Sequence, residues 1–372
     1  MSINYICNEC GTKYSPYDLP YICSCGGMLN LEDFHKEFSM DKIVKDEWSL
    51  FRYLRVLPFE EKSILWKDVS MGEGFTPLIP LDRNYSNILV KMDYMMPTLS
   101  FKDRGAAVLI SKAKEFGAKK IVQDSSGNAG NSIAAYANRV NIDCDIYVPE
   151  GTSPKKIHMI ESHGANVIVV PGTREDTARA ALDAVKKGDV FYASHVYNPY
   201  FYEGTKTYVY EIFEQLKGDM ADTLIIPVGN GTLLLGAYYG LKELLNFGLI
   251  EKLPRIIGVQ AEGCSPIYKA FGEGKYDVEE VTNTGTKAEG IAIAAPKRGK
   301  QILEAIRNTN GDIIIAPEEE ILKAQVELAR KGLYVEITTA ATFAAFFKYI
   351  KIHDNLGKVV LPLCGAGLKS SR

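Results

Sequence analysis

The stretch Ser100-Phe101-Lys102-Asp103-Arg104-Gly105 gives the first indication of both the fold and the chemistry of this chain. Before it, residues 87–93 form a short apolar run rich in β-branched residues, which predicts a strand. After it, an apolar run from Gly105 to about Gly117 predicts a helix. We therefore expect Lys102 near the junction of a loop and a helix start.

This position predicts a reactive amine at Lys102. The positive end of the helix dipole and the neighbouring Arg104 both disfavour a second positive charge, so we expect a lowered lysine pKa. An amine that is partly free at neutral pH can attack an aldehyde and form a Schiff base. A lysine at a helix start is also commonly a solvated surface residue, so this chemistry requires an anion site and an electron sink elsewhere in the chain.

Size and composition favour an ordinary globular protein of two domains with a small appendage, since the chain has 372 residues, of which 46% are hydrophobic and 24% charged. Its net charge of -3 provides no basic field for nucleic acid or an anionic membrane. The sequence lacks an apolar run of about 18 residues and a signal-peptide pattern. We therefore expect a cytoplasmic protein without nucleic-acid or membrane partners.

Four of the seven cysteines lie close together near the start of the chain, as Cys7-x2-Cys10 and Cys23-x-Cys25. Two close pairs separated by a short hairpin can place four thiolates around one tetrahedral Zn²⁺. Such a site is closed by protein ligands, so we predict a structural zinc ribbon without a catalytic role. Free thiols are the alternative, and a reducing cytosol disfavours a disulfide.

Strand and helix patterns alternate through the rest of the chain. Predicted strands lie at 119–124, 143–148, 166–170, 190–194, 223–228, 255–261, 312–316 and 358–363. Predicted helices lie at 128–141, 154–164, 174–188, 200–217, 231–246, 300–308, 318–332 and 338–353. This alternation is typical of an α/β fold with parallel sheets covered on both faces. The irregular stretch 275–299 and the unequal spacing favour two open, mostly parallel sheets over a closed barrel.

One candidate binding loop is Ser125-Ser126-Gly127-Asn128-Ala129-Gly130-Asn131, between a predicted strand and a predicted helix. Its small residues allow backbone amides to point at a ligand, and the helix start favours an anion such as a substrate carboxylate. Asn128 could in addition donate a hydrogen bond to a phenolic oxygen. Serine and asparagine are also ordinary helix N-caps, which is the structural alternative.

A second candidate loop is Gly229-Asn230-Gly231-Thr232, which lies before Leu233 and a predicted helix. Its amides and the Thr232 hydroxyl can hold a phosphate against the helix dipole. It lacks the Gly-Lys-Ser/Thr of a P-loop and the full spacing of a dinucleotide motif, so we expect neither of those ligands. At the end of the last predicted strand, Cys364 precedes a glycine turn, where a neutral thiol could contact a pyridine nitrogen or simply be buried.

Together these segments resemble the fold-type II pyridoxal-phosphate enzymes, with the tryptophan synthase β-like fold. The segment 100–105, the cysteine ribbon and the phrase Gly258-Val-Gln-Ala-Glu-Gly263 are most similar to the threonine synthase branch. The resemblance implies that Lys102 is the Schiff-base lysine and the general acid–base. It also implies that Asn128 contacts the cofactor O3′, that residues 229–233 bind its phosphate, and that Cys364 faces its ring nitrogen.

The resemblance implies three parts: a zinc ribbon over 1–30, a large pyridoxal-phosphate-binding domain over 31–85 and 205–372, and a small α/β domain over 86–204. In the small domain the implied substrate-binding residues are Ser125, Ser126, Gly127 and Ala129, with Ser126 as a proton relay. A homodimer is also implied.

The chain departs from the threonine synthase pattern at several places. Met96-Pro-Thr-Leu-Ser-Phe-Lys102 stands where that branch has Asn-Pro-Thr-Gly-Ser-Phe-Lys. Phe201 stands where it has an arginine that holds the substrate phosphate, and Ala129 replaces a small hydroxyl residue. The stretches 125–130 and 288–292, together with Cys364, instead resemble serine/threonine dehydratases.

Three functions follow. The first is a threonine synthase-like lyase that converts O-phosphohomoserine and water into threonine and phosphate. The second is a serine/threonine dehydratase or another β-eliminating or β-replacing enzyme. The third, from another class, is a non-catalytic protein in which the ribbon docks a partner. Schiff-base absorbance that depends on Lys102, together with turnover of an amino acid, would exclude it.

Overall fold

A computed structural model describes residues 3–34, 37–60, 62–188, 190–353 and 356–369. The strands of these residues are β1 (Tyr5–Cys7), β2 (Lys13–Tyr14), β3 (Leu29–Leu31), β4 (Leu78–Pro80), β5 (Ile88–Lys91), β6 (Lys120–Gln123), β7 (Asp143–Pro149), β8 (Asn166–Val170), β9 (Phe191–Tyr192), β10 (Thr223–Pro227), β11 (Arg255–Ala261), β12 (Asp312–Ala316) and β13 (Val359–Pro362). The α-helices are α1 (Leu65–Val69), α2 (Lys102–Glu115), α3 (Asn128–Arg139), α4 (Pro154–Glu161), α5 (Arg174–Lys187), α6 (Pro199–Thr205), α7 (Thr207–Gln215), α8 (Thr232–Asn246), α9 (Pro266–Gly272), α10 (Gly299–Asn308), α11 (Glu318–Arg330) and α12 (Ile337–Tyr349).

The chain divides into two compact units. Unit 1 comprises residues 1–74 and 102–205, and unit 2 comprises residues 75–101 and 206–372. This division differs from the expected boundaries, because residues 31–74 group with the small α/β domain. The ribbon also belongs to unit 1. The physical reason is packing: Leu50, Phe51 and Trp66 are buried in one apolar cluster with residues of α2 and α3.

Unit 1 contains two sheets. In the first, β1 pairs antiparallel with β2 and β3. The hairpin of β1 and β2 has Cys7 and Cys10 at its turn, so it does not lie between the two cysteine pairs as expected. In the second, four parallel strands have the order β8-β7-β6-β9. From β6 the chain proceeds outward through β7 to β8 on one side, whereas β9 lies on the other side of β6. The sheet order therefore reverses between β6 and β9.

Unit 2 contains a six-stranded sheet with the order β12-β11-β10-β13-β5-β4. All its strand pairs are parallel except that of β4 with β5, so β4 forms an antiparallel edge. Here the chain proceeds outward from β10 through β11 to β12, and β13 lies on the opposite side of β10. In open α/β sheets, ligands bind at the carboxyl ends of strands where the order reverses. Each unit thus has one such point.

The central strands of the six-stranded sheet are apolar throughout because both of their faces are covered. Every residue of β10 and of β13 is buried, as expected for central parallel strands. In unit 2, Ile257, Phe343 and Leu361 belong to one buried cluster. Full burial of a side chain of this kind contributes roughly 1.5–3 kcal/mol. Within the described residues, the helices are too short or too polar to cross a membrane.

Candidate functional site

Lys102 is the first residue of α2, at the predicted junction of loop and helix. Its ammonium nitrogen lies 5.7 Å from the ring centroid of the fully buried Phe201 on α6. The two helices approach closely because two glycines face the contact: a Cβ on Gly105 would overlap the Phe201 ring, and one on Gly204 would overlap the Arg104 carbonyl oxygen. Glycine at these positions therefore brings Phe201 against the first turn of α2.

The loop of residues 125–129 connects β6 to the start of α3. Gly127 precedes the helix with an extended backbone, and its amide donates to the Ser125 hydroxyl at 3.4 Å. A Cβ on Gly130 would overlap the Ser125 carbonyl oxygen, so the first turn of α3 lies directly against the loop. Residues 125–128 are half-buried, whereas Ala129 is 2% exposed and belongs to the core.

The residues that follow β9 lie beside this loop. The Ala193 amide donates to the Val122 carbonyl at 2.9 Å, and the Gln123 side chain donates to the Ala193 carbonyl at 2.9 Å. The Tyr192 hydroxyl donates to the Asp124 carboxylate at 2.9 Å. These bonds fix the ends of β6 and β9 together at the point where the sheet order reverses. Unit 1 therefore has a candidate binding edge formed by the serine–asparagine loop and by the residues after Ala193.

His195 is a residue of this edge that sequence reasoning did not identify. Its imidazole packs edge-on against Phe201, with ring centroids 5.9 Å apart, so it shares that ring with Lys102. It is buried, and its Nδ1 has no hydrogen-bond partner among the described residues. Burial and the charge of Lys102 hold the His195 pKa well below its usual range, so the imidazole is neutral at pH 7. The available signal was a polar residue directly after a predicted strand.

In unit 2 the predicted phosphate loop lies between β10 and α8. Gly231 adopts a left-handed backbone with φ +76°, which favours glycine, and a Cβ there would lie 2.5 Å from Ile302. A Cβ on Gly229 would lie 3.0 Å from Ile293 and 3.2 Å from the Gly290 carbonyl oxygen. The loop therefore presents backbone rather than side chains at the start of a 15-residue helix, which is a suitable place for an anion.

Cys364 follows β13, the strand adjacent to β10, so it lies at the same end of the sheet as the glycine loop. Cys364 is 1% exposed, and its backbone amide donates a hydrogen bond to the Thr339 hydroxyl at 3.1 Å. The neighbouring Thr338 is close to Gly290, where a Cβ would lie 2.6 Å from the threonine hydroxyl. The start of α12 thus connects Cys364 to the segment that contacts the glycine loop.

The four cysteines of the ribbon are brought together as predicted. Their sulfur atoms lie within 4.8 Å of one another, with 3.6 Å between Cys7 and Cys25 and 3.5 Å between Cys10 and Cys23. Thiolates around a tetrahedral Zn²⁺ are about 3.8 Å apart, since the Zn–S distance is about 2.3 Å. The Glu9 amide, 3.4 Å from the Cys7 sulfur, provides the kind of outer contact that such sites have. The donor set therefore fits a zinc ion.

The structure thus places the predicted residues in two groups. Unit 1 holds the ribbon cysteines, Lys102 and residues 125–129. Unit 2 holds residues 229–233 and Cys364.

Comparison with known proteins shows a match of residues 69–365 to the family model of pyridoxal-phosphate dependent enzymes. The chain is 35% identical to the threonine synthase of Methanocaldococcus jannaschii, over 98% of this chain and 92% of that protein. It is 34% identical to the threonine synthase of Methanosarcina acetivorans, over 92% and 86%. Among solved structures, a threonine deaminase isoform from Solanum lycopersicum matches with a TM-score of 0.67 and 25% identity, over 85% and 89% of the two chains. Maize serine racemase matches with a TM-score of 0.68 and 20% identity, over 79% and 88%.

Proposed function

This chain belongs to the family of pyridoxal-phosphate dependent enzymes and is a lyase of that family, and we propose that it acts as a threonine synthase-like enzyme. The proposed reaction converts O-phosphohomoserine and water into threonine and inorganic phosphate. The observation that carries this proposal is the similarity to threonine synthases over nearly the whole chain, with Lys102 at the start of a helix in the segment 100–105. A non-catalytic role for the chain is not proposed.

The residues of unit 2 fit the cofactor. The glycine loop 229–232 and Leu233 would hold its phosphate, because the bare backbone amides and the start of α8 suit a dianion. Cys364 would face its ring nitrogen, since a buried neutral thiol is compatible with an unprotonated pyridine. We therefore propose unit 2 as the part of the chain that grips the phosphate and the ring.

The residues of unit 1 carry the proposed chemistry. When bound, the cofactor supplies an electron sink for the charge left on the substrate α-carbon after deprotonation. Lys102 anchors the cofactor, and its amine takes the α-proton and returns a proton later in the reaction. Asn128 would donate a hydrogen bond to the phenolic oxygen of the cofactor.

Substrate binding is assigned to the loop before α3. The amides of residues 125–127 and of Ala129, at the positive end of α3, would bind the substrate carboxylate. Because Ala129 has no exposed side chain, its contribution would come from the backbone amide. The Ser126 hydroxyl, half-buried on this loop, would relay a proton during the loss of the leaving group.

Product analysis tests the proposal. The purified protein, supplied with pyridoxal phosphate and O-phosphohomoserine, is expected to release equal amounts of threonine and phosphate. Lys102→Ala should abolish both this reaction and the visible absorbance of the bound cofactor. Release of a 2-oxo acid and ammonia from serine or threonine, without threonine formation from O-phosphohomoserine, would reject the proposed substrate.

A second candidate, elimination from a hydroxy-amino acid, is favoured by one observation. The ring beside Lys102 is that of Phe201, which cannot hold a phosphate, and the adjacent His195 is neutral at pH 7. A dehydratase requires no cation for a leaving phosphate. The same product analysis distinguishes the two functions, because 2-oxo acid and ammonia would be the products from serine or threonine.

For the ribbon we propose one structural zinc ion held by Cys7, Cys10, Cys23 and Cys25. Metal analysis of the purified protein should find one zinc per chain, and Cys10→Ser should lose it. A matched replacement of Cys264, which is not part of the four-cysteine cluster, by serine should retain the metal. Zinc at the same level in the Cys10 variant would overturn the assignment.

A further inference from the structure

We propose that His195 is a substrate-binding residue that hydrogen-bonds the oxygen carried on the substrate side chain. This inference rests on the proposed function, because it assumes that the chain binds pyridoxal phosphate and an amino acid. It holds for either candidate substrate, since both serine and O-phosphohomoserine carry a side-chain oxygen.

The first argument is position. His195 lies three residues beyond β9, on the edge where the order of the parallel sheet reverses, and the bonds between Ala193 and β6 tie this segment to the serine–asparagine loop. Ligands in open α/β sheets bind at such an edge. The loop assigned to the substrate carboxylate and His195 thus belong to the same edge of unit 1.

The second argument is the aromatic ring that His195 shares with the reactive amine. The Phe201 ring has the Lys102 nitrogen 5.7 Å from its centroid and the His195 ring 5.9 Å from its centroid. The amine and the imidazole therefore both lie against one aromatic side chain. A substrate held at Lys102 would lie beside the ring that His195 also contacts.

The third argument is the unsatisfied hydrogen-bonding capacity of the imidazole. His195 is 8% exposed, yet its buried Nδ1 has no partner among the described residues. Leaving such a group unpaired costs about 1–3 kcal/mol, and buried polar groups that serve packing alone are normally paired. A neutral imidazole offers one donor and one acceptor, which matches a hydroxyl or an ester oxygen.

Paired ligands test this contact. We would titrate the holoenzyme with L-serine against L-alanine and with L-homoserine against L-2-aminobutyrate, following the cofactor absorbance by rapid mixing and the heat of binding by calorimetry. Within each pair the second amino acid lacks the side-chain oxygen. His195→Phe retains an aromatic ring against Phe201. It should weaken binding of the oxygen-bearing amino acid about tenfold and leave binding of the other amino acid unchanged.

Each other result has a distinct meaning. Equal weakening of both members of a pair, or no weakening of either, would overturn the role of His195 while leaving the enzyme function intact. A wild-type protein that responds to none of the four amino acids would overturn the proposed function and this inference with it. If His195→Phe does not fold, His195→Leu provides the same comparison, and His195→Gln, which retains a donor and an acceptor, should keep part of the preference for oxygen.

Discussion

Tyr5 of the ribbon and Tyr200 of α6 stack edge to face, with ring centroids 5.5 Å apart. The Tyr5 hydroxyl is also hydrogen-bonded to the side chain of Asn198. The Asn198 carboxamide oxygen in turn accepts from the Tyr200 amide at 3.1 Å, which fixes the first turn of α6. The ribbon therefore supports the turn that carries Phe201 to Lys102.

Zinc removal should consequently affect more than the ribbon. We expect chelation to lower the midpoint of thermal unfolding and to lower kcat/KM. Tyr5→Phe should keep the zinc but lose about 1 kcal/mol of stability, because one buried hydrogen bond is removed. Unfolding curves and metal analysis check both effects. Tyr17→Phe is the control because Tyr17 is 59% exposed. An unaltered unfolding midpoint after complete zinc removal would contradict this coupling.

Replacing Phe201 should change the preference for phosphorylated substrates. Phe201→Arg places a guanidinium beside Lys102, and a charged hydrogen bond to phosphate contributes about 1.5–3 kcal/mol. We expect binding of O-phosphohomoserine to tighten by roughly tenfold or more relative to homoserine. Titration of the cofactor absorbance measures both ligands. Phe201→Leu is the matched control and should produce no such gain. The idea fails if the arginine variant binds both ligands with the wild-type ratio.

Glu73 should make stability depend on pH. Its side chain is fully buried, accepts hydrogen bonds from the Tyr136 hydroxyl at 2.9 Å and the Met71 amide at 2.8 Å, and has its pKa raised by burial to about 7. Between pH 4.5 and 7 the folded state therefore retains a proton that the unfolded state has lost. The contribution of Glu73 to the free energy of unfolding consequently falls as the pH rises through this range. Above that range the loss remains constant.

Glu73→Gln should remove this dependence. At pH 8 we expect the variant to be more stable than the wild type by at most about 3 kcal/mol, since one pKa unit corresponds to about 1.4 kcal/mol. Urea unfolding at pH 5 and pH 8 provides the measurement. Glu280→Gln, at an exposed position, is the comparison. A slope with pH in the Glu73 variant equal to that of the wild type would show that another group is responsible.

Leu99 is a site where a smaller residue should stabilise the protein. It adopts φ +61°, a left-handed conformation that costs a residue with a Cβ about 1–2 kcal/mol. Its amide donates to Met96 and its carbonyl accepts from Ala366, and neither bond requires the side chain. Leu99→Gly should therefore increase the free energy of unfolding by up to about 1 kcal/mol. This figure allows for the greater backbone entropy of glycine in the unfolded state. Leu99→Ala retains the Cβ, so equal gains in thermal unfolding for both variants would exclude strain as the cause.

The alternating pattern of the sequence predicted most of the architecture. The strands at 166–170, 255–261 and 312–316 have the predicted bounds. For the two strands of unit 2 the prediction succeeded because buried parallel strands appear as continuous apolar runs. The strand at 166–170 lies at a sheet edge and is partly exposed, and its valine-rich run indicated a strand all the same. The edge strand β4 was not among the predicted strands, since a largely exposed edge of three residues carries no such run. The predicted helix 200–217 is divided at Lys206, whose buried ammonium group pairs with Glu243 at 2.7 Å. Such a long-range ion pair leaves no local signal.

Sequence spacing was equally informative for the ribbon, where four cysteines predicted the cluster that the structure contains. For the other site residues it located loops and helix starts but not the side chains around them. His195 is the clearest case. A lone histidine after a strand is unremarkable in a sequence, and only the packing of α6 on α2 brings it to the ring that Lys102 also contacts.

The contact between Tyr5 and Tyr200 has a practical consequence for shortening the gene product. The sequence alone predicts residues 1–30 as a separate zinc ribbon, but Tyr5 is 1% exposed and Tyr200 is equally covered. A truncated chain that begins after Leu31 would bare the aromatic surface around Tyr200, and such patches promote aggregation. Poor yield of that fragment would therefore reflect aggregation through the exposed aromatic residues, not a failure of the remaining sheets to form.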